Sequence, residues 1–109
     1  MRQETLIVLA SQTAASVNSN AIPSQNLFNA SAQMVVTGAG AGTLVIQGSN
    51  DPVSSTPVNF TNIPNATVTI AGAGSYLIPK TDLCYAWVRV SYTNTGSGTI
   101  ACNMHLLGE

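Results

Sequence analysis

The chain has 109 residues, a net charge of −1 at pH 7 and charged side chains at only 6% of its positions. Its length is that of one domain, whereas a typical soluble domain carries charge at about a quarter of its residues. With three basic residues it has no basic patch for phosphate groups, so nucleic-acid binding and anionic-membrane binding are both disfavoured. Because interface cores are depleted in charge, this composition favours a chain that is covered by neighbouring subunits over a monomer.

The first thirty residues contain one apolar run and are otherwise polar. The run from Thr5 to Ala10 is continuous rather than alternating, and such strands are usually covered on both faces. A single sandwich covers only one face of such a strand, so we expect a neighbouring subunit to cover the other face. The candidate interface residues on this strand are Leu6, Ile7, Val8 and Leu9; the alternative is that they form an inner strand of the sandwich. Residues 11 to 31 predict an extended arm, so we divide the single domain into an N-terminal strand and arm, residues 1 to 30, and a body, residues 31 to 109.

Alternation predicts a hairpin in the first part of the body. One face of its two strands carries Ala32, Met34, Val36, Leu44 and Ile46. The glycine-rich segment Gly38 to Gly42 is a turn rather than a phosphate loop, because no Lys-Ser or Lys-Thr follows it and the next segment is a strand. Asp51, in an Asn-Asp-Pro turn, is expected to cap the end of this hairpin. Further short strands are predicted at Val58–Phe60, Thr67–Ile70 and Ser75–Ile78.

The C-terminal segment, Cys84 to Leu107, predicts a long hairpin around a turn at residues 94 to 98. Its apolar face carries Ala86, Val88, Val90, Tyr92, Ile100, Cys102, Met104 and Leu106 and is expected to be core. In this register Trp87 lies opposite His105 on the outer face, and Arg89 lies opposite Asn103. The outward side chains proposed for an interface are Tyr85, Trp87 and Arg89, whose residue types are enriched in binding hot spots. With seven to nine short strands, the chain is predicted to be an all-β, single-domain antiparallel β-sandwich or jelly roll.

The positions of the cysteines and the histidine predict neither a disulfide nor a metal site within one chain. The predicted register separates Cys84 from Cys102, so both are expected to be free, buried thiols in a chain made in a reducing cytoplasm. The apolar run after Glu4 is too short for a signal peptide. His105 is the sole histidine and has too few partners for a metal site within one chain, although a symmetric cluster on an oligomer axis is an alternative. No nucleophile has an assignable base and no carboxylates are paired, so we expect neither an enzyme nor a cofactor.

Several weak motifs occur in a recognisable order. They are Gly42 to Asp51 (GTLVIQGSND), Asn59-Phe60-Thr61 leading to Ile63-Pro64, Ala86 to Thr93 (AWVRVSYT), a Gly-Ser-Gly turn and a final strand. In this order, over residues 31 to 108, the chain resembles small β-sandwich virion proteins of tailed bacteriophages. The resemblance implies a non-enzymatic virion component, either a head decoration or cement protein or a part of a tail or fibre. Small size and the lack of a fibre repeat favour decoration.

Two further expectations concern partners. The resemblance implies contact with the major capsid protein or another virion protein. The charge-poor surface and the apolar run from Thr5 to Ala10 favour self-association, and a trimer is expected by analogy with the local three-fold axes of icosahedral shells. The alternative from another class is a carbohydrate-binding module, in which Trp87 and Tyr85 would stack on a sugar and Asn103 would hold its hydroxyls. Loss of glycan binding in Trp87→Ala would identify that alternative.

Overall fold

A computed structural model describes residues 2–24 and 27–108 and contains nine β-strands over these residues, with no helix among them. The strands are β1 (Arg2–Thr13), β2 (Val17–Asn18), β3 (Ile22–Pro23), β4 (Leu27–Thr37), β5 (Ala41–Ser49), β6 (Thr61–Ala71), β7 (Gly74–Lys80), β8 (Trp87–Asn94) and β9 (Thr99–Gly108). The described residues therefore include no helix that is long and apolar enough to cross a membrane. The all-β prediction is confirmed.

The strands form two antiparallel sheets that face each other across one core. The first sheet has the order β1-β9-β4-β7, and the second has the order β2-β8-β5-β6 with β3 also paired to β8. Strands β5 and β6 are neighbours in one sheet, whereas every connection from β6 onward crosses to the opposite sheet. This is a jelly roll, so the predicted sandwich class is confirmed.

The predicted C-terminal hairpin is wrong, because β8 and β9 lie in different sheets. Strand β8 pairs with β5, which places Arg89 beside Gln47, and β9 pairs with β1 and β4, which places His105 between Thr5 and Ser31. Neither the predicted pair of Trp87 with His105 nor that of Arg89 with the asparagine at 103 exists. Alternation identifies the buried face of each strand correctly, but two strands with matching apolar faces can meet across a core as well as side by side.

The predicted hairpin between residues 32 and 47 is wrong for the same reason, since β4 and β5 also lie in opposite sheets. The short strand predicted at Val58–Phe60 is absent, and these residues belong to a loop between β5 and β6. The strands predicted at Thr67–Ile70 and Ser75–Ile78 are confirmed as parts of β6 and β7.

The apolar run near the N-terminus lies in β1, which is an edge strand of the first sheet. Strand β1 pairs with β9 from Arg2 to Thr13, with register shifts between Ile7 and Leu9 and between Leu9 and Gln12. Leu9 is buried, whereas Ile7 is 76% exposed on the opposite face. The predicted boundary between residues 30 and 31 falls inside β4, so it does not coincide with the end of an element.

The core is filled by the alternating side chains of both sheets. Its largest fully buried members are Tyr92, Met34, Leu44, Ile46, Ile70, Ile100, Met104 and Leu106. The burial of Val88, Val90 and Cys102 confirms the predicted apolar faces of β8 and β9. Both cysteines are free as predicted, but the prediction that both are buried is wrong for Cys84, which is exposed.

Candidate functional site

Asp51 organises the loop of residues 50 to 60, which joins β5 to β6 at one end of the second sheet. Its Oδ2 accepts hydrogen bonds from the backbone N–H groups of Val58 (2.7 Å) and Asn59 (2.8 Å), and its Oδ1 accepts one from Asn59 Nδ2 (3.0 Å). These hydrogen bonds favour the charged carboxylate and lower the pKa of Asp51 to about 2. Asp51 therefore closes the whole loop, beyond the local turn that the sequence predicts.

The aromatic residues before and at the start of β8 hold this loop against the sheet. Trp87 Nε1 donates to the Asp51 carbonyl oxygen at 3.1 Å, and the N–H of Ala86 donates to Asn50 Oδ1 at 3.1 Å. The Tyr85 ring covers Gly48 so closely that a Cβ at Gly48 would lie within about 3 Å of it. Both aromatic side chains are thus engaged within the chain.

Arg89 is the centre of a polar row on the outer face of the second sheet. Its guanidinium carbon lies 4.1 Å from the centroid of the Phe60 ring, and its Nε donates to Gln47 Oε1 at 2.8 Å. Gln47 Nε2 in turn donates to Asn62 Oδ1 at 2.8 Å. The row spans β8, β5 and β6, so Arg89 ties the end of the loop to three strands. The loop presents Val58, which is 75% exposed, to the outside.

The outer face of the first sheet is a second surface, which we call the first-sheet face. Two rows of side chains cross its four strands, and neither row contains a charged residue. The first row is Thr5, His105, Ser31 and Pro79, and the second is Ile7, Asn103, Gln33 and Leu77. Ile7 and Leu77, at the two ends of the second row, are 76% and 62% exposed. Small proteins show single exposed apolar residues commonly, but two such residues in an uncharged sheet face favour a contact surface.

A shallow groove of about 180 Å³ lies at one end of the first-sheet face. Its walls include Asn29, Ser31, Lys80, His105 and Leu107. Thr5 Oγ1 lies 2.7 Å from His105 Nδ1, which fixes the imidazole on the sheet. The groove offers hydroxyl, amide, imidazole and ammonium groups that can bind a partner.

The two thiols differ in exposure, since Cys102 is buried and Cys84 is exposed. Burial raises the pKa of the Cys102 thiol to about 12, so it is a neutral core side chain at ordinary pH. Among the described residues, no group of three or more histidine, cysteine, aspartate and glutamate side chains is arranged to hold a metal ion.

The candidate interface residues fall into two separate places. Leu6, Ile7, Val8 and Leu9 lie on β1 in the first sheet, whereas Tyr85, Trp87 and Arg89 lie at or before β8 in the second. Leu9 is part of the core, and Leu6 and Val8 pack against it, which leaves Ile7 as the exposed member of the first group. Sequence reasoning missed Leu77, whose position opposite Ile7 depends on the strand order. The interface role of both groups stays a prediction.

No protein-family model matches the chain, and a search of curated proteins finds no match. Several solved structures are similar in fold. A chain from Bacillus endospore appendages, described as a family of disulfide-linked pili, is similar with a TM-score of 0.53 and 22% identity, over 98% of this chain and 87% of that one. The SPBc2 prophage-derived protein YomS is similar with a TM-score of 0.59 and 5% identity, over 97% and 94%. A chain of infectious bursal disease virus, Gx strain, is similar with a TM-score of 0.50 and 8% identity, over 96% of this chain and 31% of that one.

At these identities the similarity shows a shared fold. The same small β-sandwich thus occurs in a prophage-derived protein, in a spore pilus and in a virus.

Proposed function

We propose that this chain is a structural protein of a tailed-phage virion, and that within the virion it is a decoration or cement protein of the head. The observation that carries the proposal is the uncharged first-sheet face, with Ile7 and Leu77 exposed at its two ends. The jelly-roll fold shared with a prophage-derived protein and a viral chain supports it.

The charge distribution limits the kind of partner. Burying an unpaired charge is costly, so an uncharged face fits another uncharged protein surface. A second copy of this chain or a neutral region of the capsid shell provides such a surface. We therefore propose the major capsid protein and the chain itself as partners, with a trimer on the local three-fold axes of the shell.

The shape of the described residues favours decoration over a fibre. They form a body with extents of 39 × 27 × 23 Å, without an extended stem among residues 2–24 and 27–108. A tail location remains the alternative within the same class.

The carbohydrate-binding alternative is less well supported, because its aromatic platform is already used within the chain. Trp87 donates its indole N–H to Asp51, and Tyr85 covers Gly48. The predicted sugar-binding partner Asn103 lies in the other sheet. A glycan bound by stacking would therefore compete with contacts that hold the loop of residues 50 to 60.

Immunogold labelling of purified virions of the encoding phage tests the proposal. We expect gold particles at regular positions on the head, and we expect the purified protein to bind expanded heads that lack it. Labelling confined to the tail would overturn decoration, and the absence of the protein from virions would overturn the virion role.

A further inference from the structure

The two edges of the first sheet, β1 and β7, are complementary in direction. All three pairings in this sheet are antiparallel, so its four strands alternate and β1 runs opposite to β7. A second copy placed beside the first in the same orientation brings its β1 next to β7 of the first copy, again antiparallel. An even number of strands is what makes this head-to-tail addition continue the alternation.

The even number of strands also aligns the backbone hydrogen-bonding groups of the two edges. In antiparallel sheets the pairs that exchange hydrogen bonds alternate with pairs that do not, along a strand and from one strand to the next. Across four strands the outward amide groups of β1 therefore fall in the same rows as the outward amide groups of β7. Pro79 has no N–H and removes at most one donor from the joint ladder.

Two rows of side chains favour one particular register. Ile7 lies in one row with Leu77, and Glu4 lies in another with Lys80, through the intervening residues of β9 and β4. In a head-to-tail contact along these rows, Leu77 meets Ile7 of the next copy and Lys80 meets Glu4 of the next copy. The apolar pair and the oppositely charged pair form in the same register, because Glu4 and Ile7 are three residues apart on β1 and Leu77 and Lys80 are three residues apart on β7.

We propose that copies of this chain associate head to tail through β1 of one copy and β7 of the next, which joins their first sheets into one continuous sheet. This inference rests on the proposed assembly function and names its self-contact. Such a heterologous contact closes into a ring, a trimer included, when its rotation permits, and otherwise extends as a filament.

The second sheet offers poorer edges for the same contact. Its β6 edge contains Pro64 and, at Asn65, a positive φ of 62°, whereas β2 and β3 at the other edge have two residues each. Prolines and short strands are the usual features that keep an edge from pairing. Strand β1 has twelve residues and no proline and pairs without a register shift from Arg2 to Ile7, and the one proline of β7, Pro79, lies next to its last residue.

Disulfide trapping tests the contact in the full chain with Cys84→Ser, which removes the exposed native thiol. Directly opposed residues of neighbouring strands have Cα atoms about 4.5–5.5 Å apart, which is within reach of a disulfide. We expect the double variant Ile7→Cys with Leu77→Cys to form a ladder of covalent multimers under mild oxidation. Each single variant should stay monomeric on a non-reducing gel. A covalent dimer of the Ile7→Cys single variant would show a symmetric β1–β1 contact and overturn the proposal, as would the absence of a ladder.

Light scattering after size exclusion provides the second measurement. Ile7→Asp and Leu77→Asp should each weaken association by at least about tenfold, since each places a charge in an apolar contact. Val58→Asp is the matched control, because Val58 is equally exposed but lies on the loop beside the second sheet, and it should leave association unchanged. Glu4→Lys should weaken association on the order of tenfold, and adding Lys80→Glu should restore it.

The outcomes separate this inference from the proposed function. A wild-type chain that is monomeric at all concentrations but labels phage heads would overturn the head-to-tail contact alone. A chain that forms the ladder but is absent from virions would overturn the virion role alone. Equal loss of association in the Val58→Asp control would also overturn the assignment to β1 and β7.

Discussion

Substitution of Ile7 and of Leu9, two aliphatic residues of β1, distinguishes the observed strand from an apolar run that is covered on both faces. Leu9 is 5% exposed and belongs to the core, whereas Ile7 is 76% exposed. Leu9→Ala should cost about 2–5 kcal/mol of unfolding free energy, with the lower end expected at a sheet edge where neighbours can relax. About a quarter of the Ile7 side chain is covered, and full burial of such a side chain is worth about 1.5–3 kcal/mol, so Ile7→Ala should cost roughly 0.5 kcal/mol.

Urea unfolding followed by circular dichroism measures both values. It should be done at low protein concentration, so that self-association does not contribute to stability. For a domain of this size, about 2 kcal/mol corresponds to a fall in Tm of roughly 8–16 °C, which makes Leu9→Ala easy to distinguish from Ile7→Ala. Ile7 and Leu9 are two positions apart and lie on opposite faces because of the register shift between them, so equal losses in the two variants, at a concentration where both are monomeric, would refute that irregularity of β1. A loss in Ile7→Ala that appears only at high concentration would instead report the contact between copies.

Three further outcomes follow from burial and hydrogen bonding. Val88→Asp should abolish folding, because Val88 is fully buried and the substitution leaves an unpaired carboxylate in the core. Thr95→Asp should be nearly neutral, because Thr95 is exposed. Equal yields of soluble protein from the two variants would contradict the assignment of β8. The pKa of Asp51 is lowered to about 2, so its hydrogen bonds stabilise the folded loop above its ordinary pKa of 3.8 and are lost as the pH falls through about 2. The fluorescence of the single tryptophan should follow that loss, and Asp51→Asn should remove the transition. Cys84 should react with a thiol reagent in the native protein, whereas Cys102 should react only after unfolding; alkylation of both without denaturant would contradict the burial of Cys102.

Much of the local structure of this chain is predictable from its sequence. Alternation of apolar and polar residues correctly identifies the buried sides of β8 and β9, including Val90 and Met104. It does so because a pleated strand points successive side chains to opposite faces whatever its neighbours are. The number of strands and the sandwich class follow from the spacing of these segments and their turns, and the low charge favours an assembled protein over a solitary one.

The periodicity of the sequence does not predict which strands lie next to each other. The sequence predicts Trp87 beside His105, but the chain crosses between sheets after β8, and Trp87 instead reaches Asp51 while His105 contacts Thr5. An apolar face is buried equally well against a strand of its own sheet and against the opposite sheet, so periodicity does not distinguish them.

The candidate contact surface depends on the strand order and register of the first sheet. The sequence alone determined that the chain is small and poor in charge, and its periodicity predicted the all-β class. Only the tertiary structure placed Ile7 and Leu77 in one row at opposite edges of a four-stranded sheet, and Glu4 and Lys80 in another. The reason is physical: strand order comes from how both sheets close over one core, and residues about seventy positions apart come to lie in one row across the sheet only when that core forms.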